Sequence, residues 1–202
     1  MWQTDLVFYL VMFVILVISA VLVVLTHAGY FHTVRVRMAT PHVQPRHFAY
    51  VVKTGPYKSC AEAFSSLAML APKKILFGIY YDDPDTIAED KLRYLVGVCL
   101  PDPKEVSNSD DDLTERLKSN GYQFHTFPAC EKAVMTDYPK RNFLSFMLAV
   151  TYVYPALKKF TAAYKLTAGP CIEYYEPDMI QFILPLDHHE EFYVPGIDPR
   201  YS

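Results

Sequence analysis

Apolar positions run unbroken from Leu6 to Leu25, LVFYLVMFVILVISAVLVVL, with only Tyr9 and Ser19 carrying polar groups. Twenty residues at helical rise extend about 30 Å, the hydrocarbon thickness of a bilayer. Val and Ile would suit a buried strand, but the run is far too long for one. No face of it is polar, so a half-buried core helix does not fit. A cleaved leader fits poorly too. Met1 to Asp5 contains no Lys or Arg, the apolar run is long, and Thr26-His27-Ala28 is a weak cleavage site. The pattern predicts one transmembrane signal-anchor helix over 6–25, between a short N-terminus, 1–5, and a juxtamembrane linker, 26–45.

Beyond residue 45 the apolar positions come in short runs, and the order of runs repeats. His47 to Lys53 is strand-like, Gly55-Pro56 breaks it, and Cys60 to Leu70 has helical spacing. Gly78-Ile79-Tyr80-Tyr81-Asp82-Asp83-Pro84-Asp85 then leads through a turn to a second apolar run, Tyr94 to Pro101. In the second half Gln123 to Met135 reads as extended, Asp137-Tyr138-Pro139 as a break, and Asn142 to Leu166 as a long helix. That helix carries Phe143, Met147, Val150 and Tyr154 at the spacing of a sheet-packed face, with Pro155 a kink or boundary. Cys171-Ile172-Glu173-Tyr174-Tyr175-Glu176-Pro177-Asp178 follows and turns into Met179 to Pro185.

Strand-helix-strand-strand therefore occurs twice, over about 46–101 and 122–186. Between the repeats, Ser107 to Asp112 reads as a polar loop and Leu113 to Asn120 as a short helix capped by Gly121. The expected fold is α+β: an antiparallel sheet with helices on one face and pseudo-twofold symmetry, spanning 46–196, with 197–202 as the C-terminal end.

Charge gives the anchor a direction. Arg35, Arg37, Arg46, Lys53 and Lys58 follow the span before the first acid, Glu62, whereas only Asp5 precedes it. The positive-inside rule places the domain in the cytosol and the N-terminus in the lumen. A net charge of −3 shows no nucleic-acid footprint, so no direct nucleic-acid partner is expected. The four cysteines, Cys60, Cys99, Cys130 and Cys171, stand singly and read as free thiols in a reducing compartment.

Candidate chemistry centres on one carboxylate among aromatics. By strand alternation, if Ile79 and Ile172 face the helices, then Tyr80 and Glu173 project together from the opposite side. Glu173, with Tyr80 in the same cleft, would suit a cation held by charge and ring faces. A desolvated Glu173 would also suit acid–base work. A solvated Glu173 on a wet sheet face is the alternative. Asp187-His188-His189-Glu190-Glu191 lacks the i, i+4 histidine pair of a zinc helix, and Asp110 to Asp112 lacks a calcium-loop spacing. No metal and no cofactor is expected.

The duplicated unit, carrying Gly78-Ile79-Tyr80-Tyr81-Asp82-Asp83-Pro84 and Gly169-Pro170-Cys171-Ile172-Glu173-Tyr174, resembles the GyrI-like, or effector-binding, domain. Asp90-Lys91-Leu92-Arg93, Val96-Gly97, Phe127-Pro128-Ala129, Pro155-Ala156-Leu157 and Phe192-Tyr193-Val194-Pro195 narrow the resemblance to the testis-expressed protein 264 family. The resemblance covers Phe48 to Pro195. It implies a single-pass membrane protein of the endoplasmic reticulum, an ER-phagy receptor that binds cytosolic ATG8-family proteins. It also implies, from effector-binding relatives, a cleft for small cationic ligands that some bacterial members turn to hydrolysis with a cleft Glu; Glu173 is the matching residue, with Tyr80, Tyr81 and Tyr175 as its implied neighbours. Receptor relatives recruit through an acidic tail with an aromatic-x-x-aliphatic motif that adds a strand to its partner. The 202 residues hold no such tail, and Tyr94-Leu95-Val96-Gly97 and Phe48-Ala49-Tyr50-Val51 fall inside expected strands. The expectation is an interaction module rather than an enzyme, with a small-molecule binder or hydrolase using Glu173 as the alternative.

Overall fold

A computed structural model describes residues 2–41, 47–101 and 108–197; Arg46, Ser107 and residues 198–202 of the C-terminal end lie outside them. The first helix, α1 (Trp2–Ala28), runs past 6–25 at both ends, because nothing in Trp2 to Asp5 or Thr26 to Ala28 breaks a helix. Gly29, at φ +92°, ends it in a conformation open to glycine. Asp5–Ala28 is the one segment among the described residues long and apolar enough to cross a membrane.

Eight strands build one antiparallel sheet: β1 (Arg37–Ala39), β2 (His47–Thr54), β3 (Leu76–Tyr80), β4 (Arg93–Leu100), β5 (Gln123–Thr126), β6 (Ala133–Pro139), β7 (Cys171–Tyr175) and β8 (Met179–Pro185). Their order is β1-β6-β8-β7-β3-β4-β2-β5. The units β2-α2-β3-β4 and β6-α4-β7-β8, with α2 at Cys60–Leu70 and α4 at Phe143–Ala163, fill the two halves in mirrored order. They meet at β3 and β7, where Ile79 pairs with Ile172. These isoleucines hold the same place in the two repeats, so the pseudo-twofold passes between them.

The helices lie on one face. Leu67 of α2, with Leu113 and Leu117 of α3 (Asn108–Ser119), packs on Ala49, Tyr94, Val96 and Val98. Ala149, Val153 and Leu157 of α4 pack on Val134, Tyr138, Ile180 and Phe182. The other face is not wet. The segment 127–132 crosses it from β5 at one edge to β6 near the other, and Phe127 and Cys130 join Phe192, Val194 and Ile197 in burying Phe48, Phe77, Ile79 and Ile172.

Several expectations change here. The 26–45 linker contains β1, which pairs with β6 through Arg37 and Met135. Gln123 to Met135 is two strands at opposite ends of the sheet, and Asp137-Tyr138-Pro139 completes β6, with Pro139 at the strand end where a missing N–H is tolerated. The loop expected up to Asp112 is already helical from Asn108, and Asp110 is largely buried, its carboxylate 2.6 Å from Lys74 Nζ.

Helix α4 buries Ser145, Ala149, Val153 and Leu157, while Phe143, Met147 and Val150 are exposed. Small residues at the first two positions let the helix approach the large side chains Tyr138 and Phe182 beneath it. The helix continues through the exposed Pro155, because the rest of its hydrogen bonds and its packed face outweigh the one donor that proline removes. It starts at a reciprocal cap: Asn142 Oδ1 accepts the Ser145 N–H at 3.1 Å, and Ser145 Oγ accepts the Asn142 N–H at 3.3 Å. Asn142→Ala is expected to lower stability by about 1 kcal/mol, read as a lower urea midpoint at unchanged slope, with Asn142→Asp close to wild type.

Candidate functional site

Glu173 sits in the middle of β7, across from Gly78 on β3, where the lack of a side chain leaves room on the helix side of the sheet. The faces are the reverse of the expectation. Ile79 and Ile172 point away from the helices, and Tyr80, Glu173 and Tyr175 lie under them, between α2 and α4. Tyr81 therefore parts from the other candidates. It lies on the far face, donating its hydroxyl to the Phe192 carbonyl at 3.1 Å with its ring against Tyr193.

The carboxylate is buried, at 5% exposure, and both oxygens are engaged. Oε1 accepts from the Tyr154 hydroxyl at 2.5 Å, and Oε2 accepts from the Tyr175 hydroxyl. The network runs on: Tyr175 and Tyr80 hydroxyls are 3.5 Å apart, and Tyr80 Oη lies 3.6 Å from Cys60 Sγ at the start of α2. Phe64 of α2 and Phe146 of α4 flank the Tyr175 ring at 4.9 and 6.0 Å between centroids, and Tyr57 meets Tyr80 edge-on at 4.9 Å. Aromatic side chains from both helices thus wall in a single carboxylate.

Burial raises the Glu173 pKa above its ordinary value, and the two tyrosine hydrogen bonds pull part of the way back. Burial holds Tyr80, Tyr154 and Tyr175 well above the ordinary phenol range, the neighbouring carboxylate adding to it, so they stay protonated donors. Cys60 is likewise raised by burial, which keeps it a thiol. Such a site can attract a cation into an aromatic box, or hold a proton at Glu173.

Tyr154 is the participant that sequence reasoning misses. Helical spacing groups it with the apolar stripe of α4, yet a tyrosine hydroxyl on a sheet-facing flank needs a buried acceptor, and Glu173 supplies it. Among the described residues no cluster of three His, Cys, Asp or Glu side chains is arranged to hold a metal. In the acidic-histidine segment, Asp187 instead accepts the N–H groups of Glu131 and Lys132, pinning the end of the crossover, and His188 pairs with Glu191. None of the four cysteines is joined in a disulfide.

The second feature of note is the junction between α1 and the domain. Ala28 is fully buried, the Tyr138 hydroxyl donates to the Gly29 carbonyl at 2.9 Å, and Tyr30 packs edge-on against Tyr152 of α4. The helix is docked on β6 and α4.

Comparison with known proteins gives three results. The model of a family described as a GyrI-like small molecule binding domain matches residues 41–185. Testis-expressed protein 264 of Homo sapiens is 31% identical over 183 residues, 89% of this chain and 58% of that protein. The Mus musculus homolog is 30% identical over 171 residues, 85% of this chain and 55% of its own length. The chain thus spans somewhat more than half the length of these relatives. Among solved structures, an uncharacterized conserved protein from Listeria innocua aligns over 75% of this chain and 91% of its own, at 12% identity and a TM-score of 0.48. The EcmrR C-terminal domain aligns over 75% and 96%, at 13% identity and the same TM-score.

Proposed function

The chain belongs to the GyrI-like small molecule binding domain family, and from that premise we propose that it is a single-pass membrane protein displaying this domain as an interaction module on the cytosolic side. One observation carries the reading: the apolar helix is docked on the domain through Ala28, Gly29 and Tyr138, so insertion of α1 sets how the sheet is presented. The positive-inside bias of Arg35 and Arg37 supports the cytosolic orientation. Resemblance to testis-expressed protein 264 supports the endoplasmic reticulum as the membrane and ER-phagy, with ATG8-family partners, as the process.

Topology tests the module reading first. In sealed microsomes a C-terminal tag is expected to be digested by added protease, and a protected tag would overturn the cytosolic placement. Detergent-solubilised protein from starved cells is then expected to co-precipitate an ATG8-family protein; no recovery removes the autophagy role and leaves the anchored module.

A second reading rests on the aromatic box. Glu173, with Tyr80 and Tyr175, supports binding of a small hydrophobic cation between α2 and α4, with Tyr154 as the side chain that must yield. Titration with tetraphenylphosphonium is expected to show binding that Glu173→Gln weakens at least about tenfold. Equal affinity of the two proteins would refute it.

A further inference from the structure

We propose that the end of the domain where α1 leaves it lies on the bilayer itself, with Phe31 and Phe143 entering the interfacial layer and Tyr30, Lys140 and Arg141 at headgroup level. The inference rests on α1 spanning the membrane and adds a second, peripheral contact to it.

Length comes first. Asp5–Ala28 is 24 residues, roughly 36 Å of helix against a hydrocarbon core of about 30 Å. The last turn of α1 therefore emerges among the headgroups, in a layer only about 5–7 Å deep on each side. Ala28 is nevertheless buried against the domain and Gly29 is bonded to Tyr138. No linker separates the two, so the part of the domain around Tyr138 is at the headgroups as a matter of geometry.

Topology says what else is at that end. Tyr138 and Pro139 close β6, Pro139 pairs with Met179 at the start of β8, and α4 begins a few residues on at Phe143. Side chains in a helix lean toward its N-terminus, so Phe143 in the first turn reaches past the end of α4. The opposite end of the domain is marked by Lys158, which binds Asp83 and Asp85 in the β3–β4 connection.

Chemistry is the third strand. Phe143 is 77% and Phe31 62% exposed, so most of each ring is left uncovered by the described residues of the domain. Tyr30, half exposed, stands edge-on to Phe31. Lys140 and Arg141 lie in the chain between Pro139 and Phe143, and Arg141 is already paired with Asp178, so the contact is chiefly apolar and does not depend on anionic lipid. Aromatic rings flanked by cations are the composition that settles at an interface.

The test uses the full chain in phosphatidylcholine vesicles. Trp2, its single tryptophan, is replaced by Phe, and a new tryptophan is placed at one site per variant. Val17→Trp reports insertion of α1, Phe143→Trp reports docking, and Ile87→Trp, in the β3–β4 connection, reports the far end. Lipids brominated near the headgroup are expected to quench the Phe143→Trp variant by roughly a third and the Ile87→Trp variant hardly at all, with deeply brominated lipids acting mainly on Val17→Trp. Quenching of Val17→Trp with none of Phe143→Trp overturns the docking proposal and leaves the span intact, whether water or a second copy covers the face. No quenching of Val17→Trp overturns the membrane reading itself.

Discussion

Gly97→Ala is expected to destabilise the domain by about 3 kcal/mol, an upper-range effect for adding one methyl group. Gly97 lies in β4, paired on both sides by β2 and β3. A methyl group there would stand 2.6 Å from Phe77 Cζ and 2.8 Å from the Ala49 carbonyl oxygen. Phe77 has nowhere to go: it is fully buried, with the Phe48 ring 4.6 Å and the Tyr174 ring 6.0 Å away. The Ala49 oxygen belongs to a neighbouring strand and moves only with the sheet. Chemical denaturation should show a lower midpoint with the slope retained. Phe77→Leu removes the clashing ring atoms, so the double variant should lose less than the sum of the singles; strict additivity would mean that Phe77 is not the obstacle.

Glu173→Gln is expected to leave the protein as stable at neutral pH, or more stable by about 1 kcal/mol, despite removing the central residue of the site. The sign follows from linkage. Burial raises the folded-state pKa of Glu173 above its ordinary 4.5, so the folded protein holds that proton more tightly than the unfolded chain. The contribution of this group is therefore complete below about 4.5 and is lost as pH rises through the folded-state value. Glutamine carries no proton to lose. Its carbonyl accepts from one tyrosine, and its amide donates to the other, whose hydroxyl can turn toward Tyr80, 3.5 Å from Tyr175. Thermal melts from about pH 4 to 8 should show a decline in wild type that the Gln variant lacks. Glu173→Ala should be destabilised instead, by about 2–3 kcal/mol at acidic pH and by less as pH rises, because it strands two buried hydroxyls beside a cavity. A wild-type melt that rises with pH in this window, absent from the Gln variant, would place the folded-state pKa below the ordinary 4.5 and reverse the sign.

The repeat was legible because turn chemistry marks it. Asp82-Asp83-Pro84-Asp85 and Glu176-Pro177-Asp178 punctuate equivalent points, and the β3–β4 and β7–β8 hairpins flank those punctuations. The faces were not legible. Alternation separates inside from outside only when one face meets water. In β3 and β7 both faces are covered, and Phe77, Gly78, Ile79, Ile172, Glu173 and Tyr174 are all buried. What covers the second face is the irregular crossover 127–132 and Phe192 to Ile197, which have no periodicity to detect. Helix α4 misleads for a related reason. It has two candidate stripes, and the bulkier one, Phe143, Met147 and Val150, is the exposed one. Side-chain volume is a poor guide where the helix must come close to large sheet residues.

The same limits governed the site. Glu173, Tyr80 and Tyr175 could be grouped from strand positions, and the same alternation already sets Tyr81 on the other face. Tyr154 could not be joined to them without knowing how α4 lies across β7. Contacts between elements distant in sequence carried that information.

The pairing of Ile79 with Ile172 also bears on how such a site can come into being. Two identical chains related by a true twofold would bring two copies of every residue near that axis. A glutamate at this position would then be matched by a second one nearby, and two buried carboxylates so close cannot both be ionised. A tyrosine would be matched by another tyrosine, leaving no charge at all. Joining the halves in one chain frees them to differ, so the place filled by Glu173 in one half is filled by Tyr80 in the other. A lone acid against a phenol is an asymmetry that two identical chains cannot encode, and joining the repeats in one chain is what lets this protein carry it.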